Sequence, residues 1–442
     1  MIKAKYSFPR GFLWGTSTSS HQVEGNNTNN NWWTWENESG RIQNNDKSGL
    51  ACDWWGGRLK EDLDRAAESG QNAHRLSIEW SRVQPAPDRW DEMALDHYRE
   101  IIRGVIDRNL FPLVALHHFS DPIWLQESGG WESESSVALF IKYTNKIVDS
   151  LKEYVNMWIT INEPNVLAAN SYLYGLFPPG KTNLMSFYRV MRNLQEAHAG
   201  AYHEIHKLQP DSRVGPSIHY RAFKSKNSWS PFDGTLVKIF DTSFNNFFPR
   251  TFNQGYFSLP LNKNQIKKLK KTQDFLAVDY FTREFISFKP LGYKTQFYTS
   301  SFSHDDELSD SGMIANVPEF LFNAIKWGKQ FGVPIIISGN GIDNQNDNLR
   351  RRYLIQHIRQ LWKAVNFNYP VKGYFHWTLV DNFEWGAGWR SRFGLWELNR
   401  ESQTRTKRLS ADLYAEICKE NCLSSEMVAK YAPDIFSELF PG

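Results

Sequence analysis

Eight short β-rich runs separated by helical periodicity predict an α/β fold, a single (β/α)8 TIM barrel spanning residues 1–442. Several of the runs are near-continuously apolar, as in Leu113-Val114-Ala115-Leu116 and Pro334-Ile335-Ile336-Ile337. That is the pattern of parallel strands buried on both faces, and its eightfold alternation with helices favours a barrel over a doubly wound sheet. No Pro/Gly/Ser-rich linker divides the chain and no internal repeat is visible, so one domain is expected.

The strand runs fall at 11–17, 73–80, 112–118, 157–163, 213–220, 274–281, 334–340 and 371–381. The first clear helix, 58–69, carries Leu59, Leu63, Ala66 and Ala67 on one face, with Gly70 placed to end it. Further amphipathic stretches read at 93–108, 137–154, 187–208, 318–331 and 349–366. The lysines at 267, 268, 270 and 271 read as a solvated helix face.

Composition narrows the function. With 51 Lys+Arg against 48 Asp+Glu the net charge is only +3, which argues against a nucleic-acid binder. No apolar run of 18 residues exists, so no membrane span is expected. The N-terminus shows no signal-peptide pattern, and three sparse cysteines make no disulfide framework; both suit a cytoplasmic protein. Cys418 and Cys422 sit in a helical stretch and read as packing. Aromatic content is the outlier, with 18 Trp, 18 Tyr and 30 Phe. Flat apolar faces with a polar edge suit sugar rings, which points to a carbohydrate ligand.

In such a barrel the chemistry gathers at the C-terminal ends of the strands. Strand four ends Asn162-Glu163-Pro164. A carboxyl following an apolar strand has its pKa raised toward neutrality and suits a general acid, although Glu163 could equally cap the next helix. Strand eight runs from Trp377 to Asp381-Asn382-Phe383-Glu384-Trp385, joining two ring platforms to a carboxylate that can accept hydroxyl hydrogen bonds. Gln22 and Glu24 follow strand one. His117-His118 ends strand three, where alternation lets only one imidazole face the barrel mouth.

These segments resemble glycoside hydrolase family 1, the β-glucosidase/β-glycosidase family of (β/α)8 barrels. The similarity is nearly end to end. It includes Phe8-Pro9-x-x-Phe12-x-Trp14-Gly15, Gln22-x-Glu24-Gly25 and Arg75-x-Ser77-x-Glu79-Trp80-Ser81-Arg82. It continues through His118-Phe119, Asn162-Glu163-Pro164, Trp377, Asp381-Asn382-Phe383-Glu384-Trp385 and Arg392-Phe393-Gly394. The resemblance implies retaining hydrolysis by an acid/base and a nucleophile carboxylate about 5 Å apart. By position it makes Glu163 the acid/base. Gln22, His118, Asn162 and Glu384 become the holders of sugar hydroxyls, Trp377 and Trp385 the subsite walls, and Phe393 its end. Glu384 further implies an unphosphorylated glycone. The partner implied is a small β-glycoside or oligosaccharide, and no metal or organic cofactor is implied.

The chain departs from the family where strand seven should end in Thr/Ser-Glu-Asn-Gly. It reads Ile337-Ser338-Gly339-Asn340-Gly341, so the nucleophile position holds Gly339. In strand six the family's Asn-Tyr-Tyr-Thr-Arg is Asp279-Tyr280-Phe281-Thr282-Arg283, with Tyr280 and Phe281, like Arg75, in supporting positions. Gly339 is compatible with an engineered Glu→Gly change, which leaves the rest of the site intact, or with natural divergence, which explains the changes at 279 and 281. Three readings follow: a β-glycosidase impaired in hydrolysis or redirected to transfer, a non-catalytic sugar-binding protein, or an inverting enzyme using Asp279. The plainer role for Asp279 is to pair with Arg75.

Overall fold

The computed structural model describes residues 3–255, 268–289 and 297–440. Eight parallel strands close on themselves: β1 (Leu13–Ser17), β2 (Ala73–Ser77), β3 (Phe111–His117), β4 (Met157–Asn162), β5 (Arg213–Ser225), β6 (Leu276–Phe288), β7 (Ile335–Asn340) and β8 (Val371–His376). Each pairs with its sequence neighbours. The ring closes between β8 and β1, where Gly373 stands opposite Leu13.

Helices cover the outside: α1 (Leu59–Glu68), α2 (Glu92–Ile106), α3 (Ser135–Leu151), α4 (Leu184–Leu208), α5 (Phe247–Gln254), α6 (Glu319–Lys329), α7 (Asn348–Asn366) and α8 (Leu409–Glu420). In α1 the buried face carries Leu59, Leu63 and Ala66, and Gly70 follows it at φ +78°, where a side chain is rarely tolerated. Among the described residues no helix is long and apolar enough to cross a membrane.

The expected strands are all present, and their ends differ for identifiable reasons. β2 stops at Ser77 because Glu79 caps a short helix, Trp80–Val83, by accepting from the Ser81 amide. β5 and β6 run on past Tyr220 and Phe281 as a paired ribbon rising above the rim, joined by the antiparallel Tyr298–Ser301. Charged residues such as Arg221, Lys224 and Glu284 interrupt the apolar pattern there, so the sequence reads shorter strands. β8 ends at His376 rather than 381. The backbone of 378–381 bonds to Phe393, Leu395 and Trp396, the last in a short strand outside the barrel, instead of to a neighbouring barrel strand.

Cys418 lies in α8, but Cys422 does not continue it. It sits in a strand, Cys422–Ser424, paired with Lys5–Ser7. Both thiols are buried and free. Lys268, Lys270 and Lys271 are exposed, as a solvated face requires; Lys267 lies outside the described residues. Trp14, Trp80 and Trp158 are fully packed.

Inside the barrel an apolar floor of Ala73, Leu113, Ala115, Ile159, Phe275, Ala277, Ile336 and Phe375 supports a polar layer above it. The loop after β8 is pinned by Asp381, which accepts two hydrogen bonds from Arg408 (2.8 and 2.9 Å) and one from the Gly394 amide (2.9 Å). Replacing Arg408 with Leu leaves the Asp381 carboxylate buried without its main counter-charge, at an expected cost of about 3–5 kcal/mol. A lowered urea midpoint measures that cost. An unchanged midpoint would mean that the pair does not hold the loop.

Candidate active site

The strand ends open into a cavity of about 490 Å³ lined by Arg75, His118, Asn162, Glu163, Asp279, Phe281, Gly339, Trp377, Glu384, Trp385 and Phe393. Side chains far apart in the sequence thus meet in one place. Gln22 joins them by donating to Glu384 Oε2 at 3.1 Å while its amide also holds the Phe383 carbonyl at 2.8 Å. Trp377 Nε1 approaches the same Glu384 oxygen at 3.4 Å.

One wall is aromatic. The His118 ring neighbours both Trp377 and Trp385, with centroids 6.0 and 5.9 Å away and interplanar angles of 26° and 24°. His118 Nε2 meets Asn162 Nδ2 at 3.1 Å, and burial holds the imidazole neutral, well below its usual pKa. His117 points the other way. It pairs with Asp121 at 2.9 Å and packs on Trp131, as strand alternation requires.

Glu163 sits at the N-cap position of the short helix Pro164–Ala168, yet its side chain makes no cap hydrogen bond. Its backbone is left-handed (φ +42°), an unfavourable state for a residue with a Cβ, and one that recurs at functional sites. The carboxyl instead faces His219, whose Nδ1 lies 3.1 Å from Oε1, in the cavity that Asp279 also lines. Burial pushes Glu163 up to about 7, against the opposing pull of Asp279 and Arg75. Burial likewise lifts Glu384 to about 8 and Asp279 to about 6.

Asp279 is held from three sides: by Ser338 Oγ at 2.5 Å, Ser217 Oγ at 2.7 Å and Arg75 Nη1 at 3.5 Å. Arg75 also donates to the Ser338 carbonyl (2.9 Å), to Ser17 Oγ (3.2 Å) and to Asn162 Oδ1. The pairing of Asp279 with Arg75 that the sequence suggests is therefore present. A bulge in the β6–β7 pairing sets Asp279 opposite Gly339 and lets both Ser338 and Gly339 face the cavity side.

Two sequence candidates lie elsewhere. Tyr280 points out of the barrel and donates to the Val317 carbonyl at 2.8 Å, because residues alternate along β6 and Asp279 and Phe281 take the inward positions. Glu24 is turned away toward Arg82 (2.7 Å) and Tyr98 (2.6 Å). Conversely, the sequence reading does not single out His219, Ser217 or Ser338. His219 lies near the end of the β5 stretch read from sequence, so a survey of every strand end would find it. It stacks on Phe281 at 5.6 Å and 26°.

The raised Glu163 pKa has a thermodynamic consequence. Between about pH 4.5 and 7 the folded state keeps a proton that the unfolded chain releases, so stability falls as pH rises through that window. Glu163→Gln removes this titration. The Tm of the variant relative to the parent is expected to gain about 1–4 °C between pH 5 and pH 8 by calorimetry. A constant difference would mean that Glu163 titrates as an exposed carboxyl.

Comparison with known proteins agrees with this geometry. The sequence profile described as Glycosyl hydrolase family 1 matches residues 4–423. Beta-glucosidase A of Thermotoga maritima is 30% identical over 94% of this chain and 98% of its own length. The cytosolic beta-glucosidase of Homo sapiens is 29% identical over 95% of this chain and the whole of its own. The solved β-glycosidase of Pyrococcus horikoshii superposes with a TM-score of 0.87 at 31% identity, covering 97% of this chain and 98% of that one. A barrel whose strand ends carry this pocket, matched over nearly its whole length, belongs to glycosyl hydrolase family 1.

Proposed function

We propose that the pocket binds an unphosphorylated β-glycoside, glucoside-like in its glycone, and that Glu163 protonates the leaving oxygen. The observation that carries this reading is the position of Glu163, a buried carboxyl raised to about 7, in the same cavity as the Trp377–His118–Trp385 stack and the Gln22–Glu384 pair. A proton donor near neutrality faces a platform shaped for a sugar ring. The partners of Glu384 are Gln22 and Trp377, neither a cation, which suits sugar hydroxyls rather than a phosphate. Asn162, His118 and Phe393 complete the glycone subsite in this assignment.

Gly339 takes the place from which the family's second carboxylate attacks, so residue 339 itself supplies no nucleophile. The setting favours natural divergence over a laboratory change. The backbone at 339 is not left-handed, so no conformational demand calls for glycine. A Cβ there would instead stand 2.8 Å from Asp279 Oδ1, an oxygen fixed by Ser338 and Arg75. A glycine is what this Asp279 requires.

Titration calorimetry tests the binding assignment. A structure of the Thermotoga maritima β-glucosidase is described in complex with deoxynojirimycin, which serves as the probe. The parent protein is expected to bind it, and Glu384→Ala to weaken binding about 10–100-fold, the loss of a buried group that hydrogen-bonds the sugar hydroxyls. A 4-nitrophenyl β-glucoside 6-phosphate is expected to bind more weakly than the unphosphorylated glucoside. Absence of iminosugar binding, or preference for the phosphate, would overturn the assignment.

A further inference from the structure

We infer that Asp279 has taken over the attacking role that residue 339 cannot fill: the carboxylate has moved one strand sideways, from β7 to β6. This rests on the glycoside-binding reading above. Asp279 and Gly339 are register partners in adjacent strands, so side chains at the two positions share one face. The Asp279 carboxyl lies 2.8 Å (Oδ1) and 3.1 Å (Cγ) from where a Cβ at 339 would stand. A glutamate places its carboxyl carbon about 2.5 Å, and its oxygens about 3 Å, from its Cβ. Asp279 thus puts a carboxyl at the distance from position 339 at which a glutamate side chain in that position would have carried one.

The surroundings hold the Asp279 carboxyl in one position at the edge of the cavity. Ser217, Ser338 and Arg75 direct three donors at it, while the bare Gly339 leaves it facing the cavity. Glu163 is the neighbouring proton donor. Glu163 and Asp279 line the same cavity, and retaining glycosidases work with a pair of carboxyls on the two sides of the scissile bond.

The chemistry balances without any further reagent. An Asp279 oxygen forms a bond to the anomeric carbon as the bond to the leaving oxygen breaks, and Glu163 gives that oxygen its proton. Water then attacks the same carbon, returns a proton to Glu163 and releases Asp279 as carboxylate.

Incubation with 2-deoxy-2-fluoro-β-glucosyl fluoride, followed by peptide mass spectrometry, tests this directly. The fluorosugar is expected on the peptide containing Asp279. Asp279→Asn, shown to be folded by its retained deoxynojirimycin binding, is expected to lose the label and about a thousandfold or more of aryl β-glucoside turnover. Gly339→Ala, which sets a methyl against Oδ1, is expected to lose about tenfold or more, and Gly339→Glu alone is expected not to raise turnover. Label on another residue, turnover insensitive to Asp279→Asn, or iminosugar binding with no turnover by the parent would overturn the inference and leave the binding assignment standing. Loss of iminosugar binding by the parent would remove that assignment as well.

Discussion

A guanidinium buried in the barrel cannot be left to water, and its pairing organises the floor of the pocket. Arg75 on β2 reaches Ser17 on β1, Asn162 on β4, Asp279 on β6 and Ser338 on β7. Five strands are tied through one side chain that is 1% exposed. Taking away its carboxylate partner leaves an uncompensated buried cation, which costs far more than a surface pair would. With glycine at 339, the negative charge has to come from a neighbouring strand, and Asp279 provides it. The bulge between β6 and β7 sets this buried carboxyl opposite Gly339, at the edge of the cavity.

Desolvation is the second organising effect. Three carboxyls in one cavity, Glu163, Asp279 and Glu384, are all lifted by burial, and repulsion from neighbouring carboxylates raises Asp279 and Glu384 further. Donors decide how far each one goes. Asp279, with Arg75 and two hydroxyls, stays lowest at about 6; Glu384, with an amide and an indole, reaches about 8. Glu163 falls between them, where a group that must both give and recover a proton works best near neutral pH. The left-handed backbone at Glu163 aims the carboxyl at this cluster instead of at the helix that it precedes.

Much of this is legible in the sequence because the barrel repeats a strong pattern. Apolar runs such as 113–116 and 335–337 mark strands that are buried on both faces, and the site residues follow those runs directly. Alternation separates His118 from His117, and the same rule separates Tyr280 from its neighbours on β6. Strand ends are less legible wherever partners are distant in sequence. Asp381 ties its loop to Arg408, and the chain leaves the sheet at Trp377 to bond with 393–396, contacts that no local pattern announces. His219 is hidden for a similar reason: its meaning comes from Glu163, 56 residues earlier, and from Phe281 on the next strand.

The account joins a sugar subsite, an acid at Glu163 and a carboxylate displaced to β6, and stereochemistry is where the three meet. Proton NMR of the sugar first released from an aryl β-glucoside, recorded before mutarotation, reads it out. Two successive displacements through Asp279 yield the β anomer. The α anomer would show a single displacement by water and contradict the account.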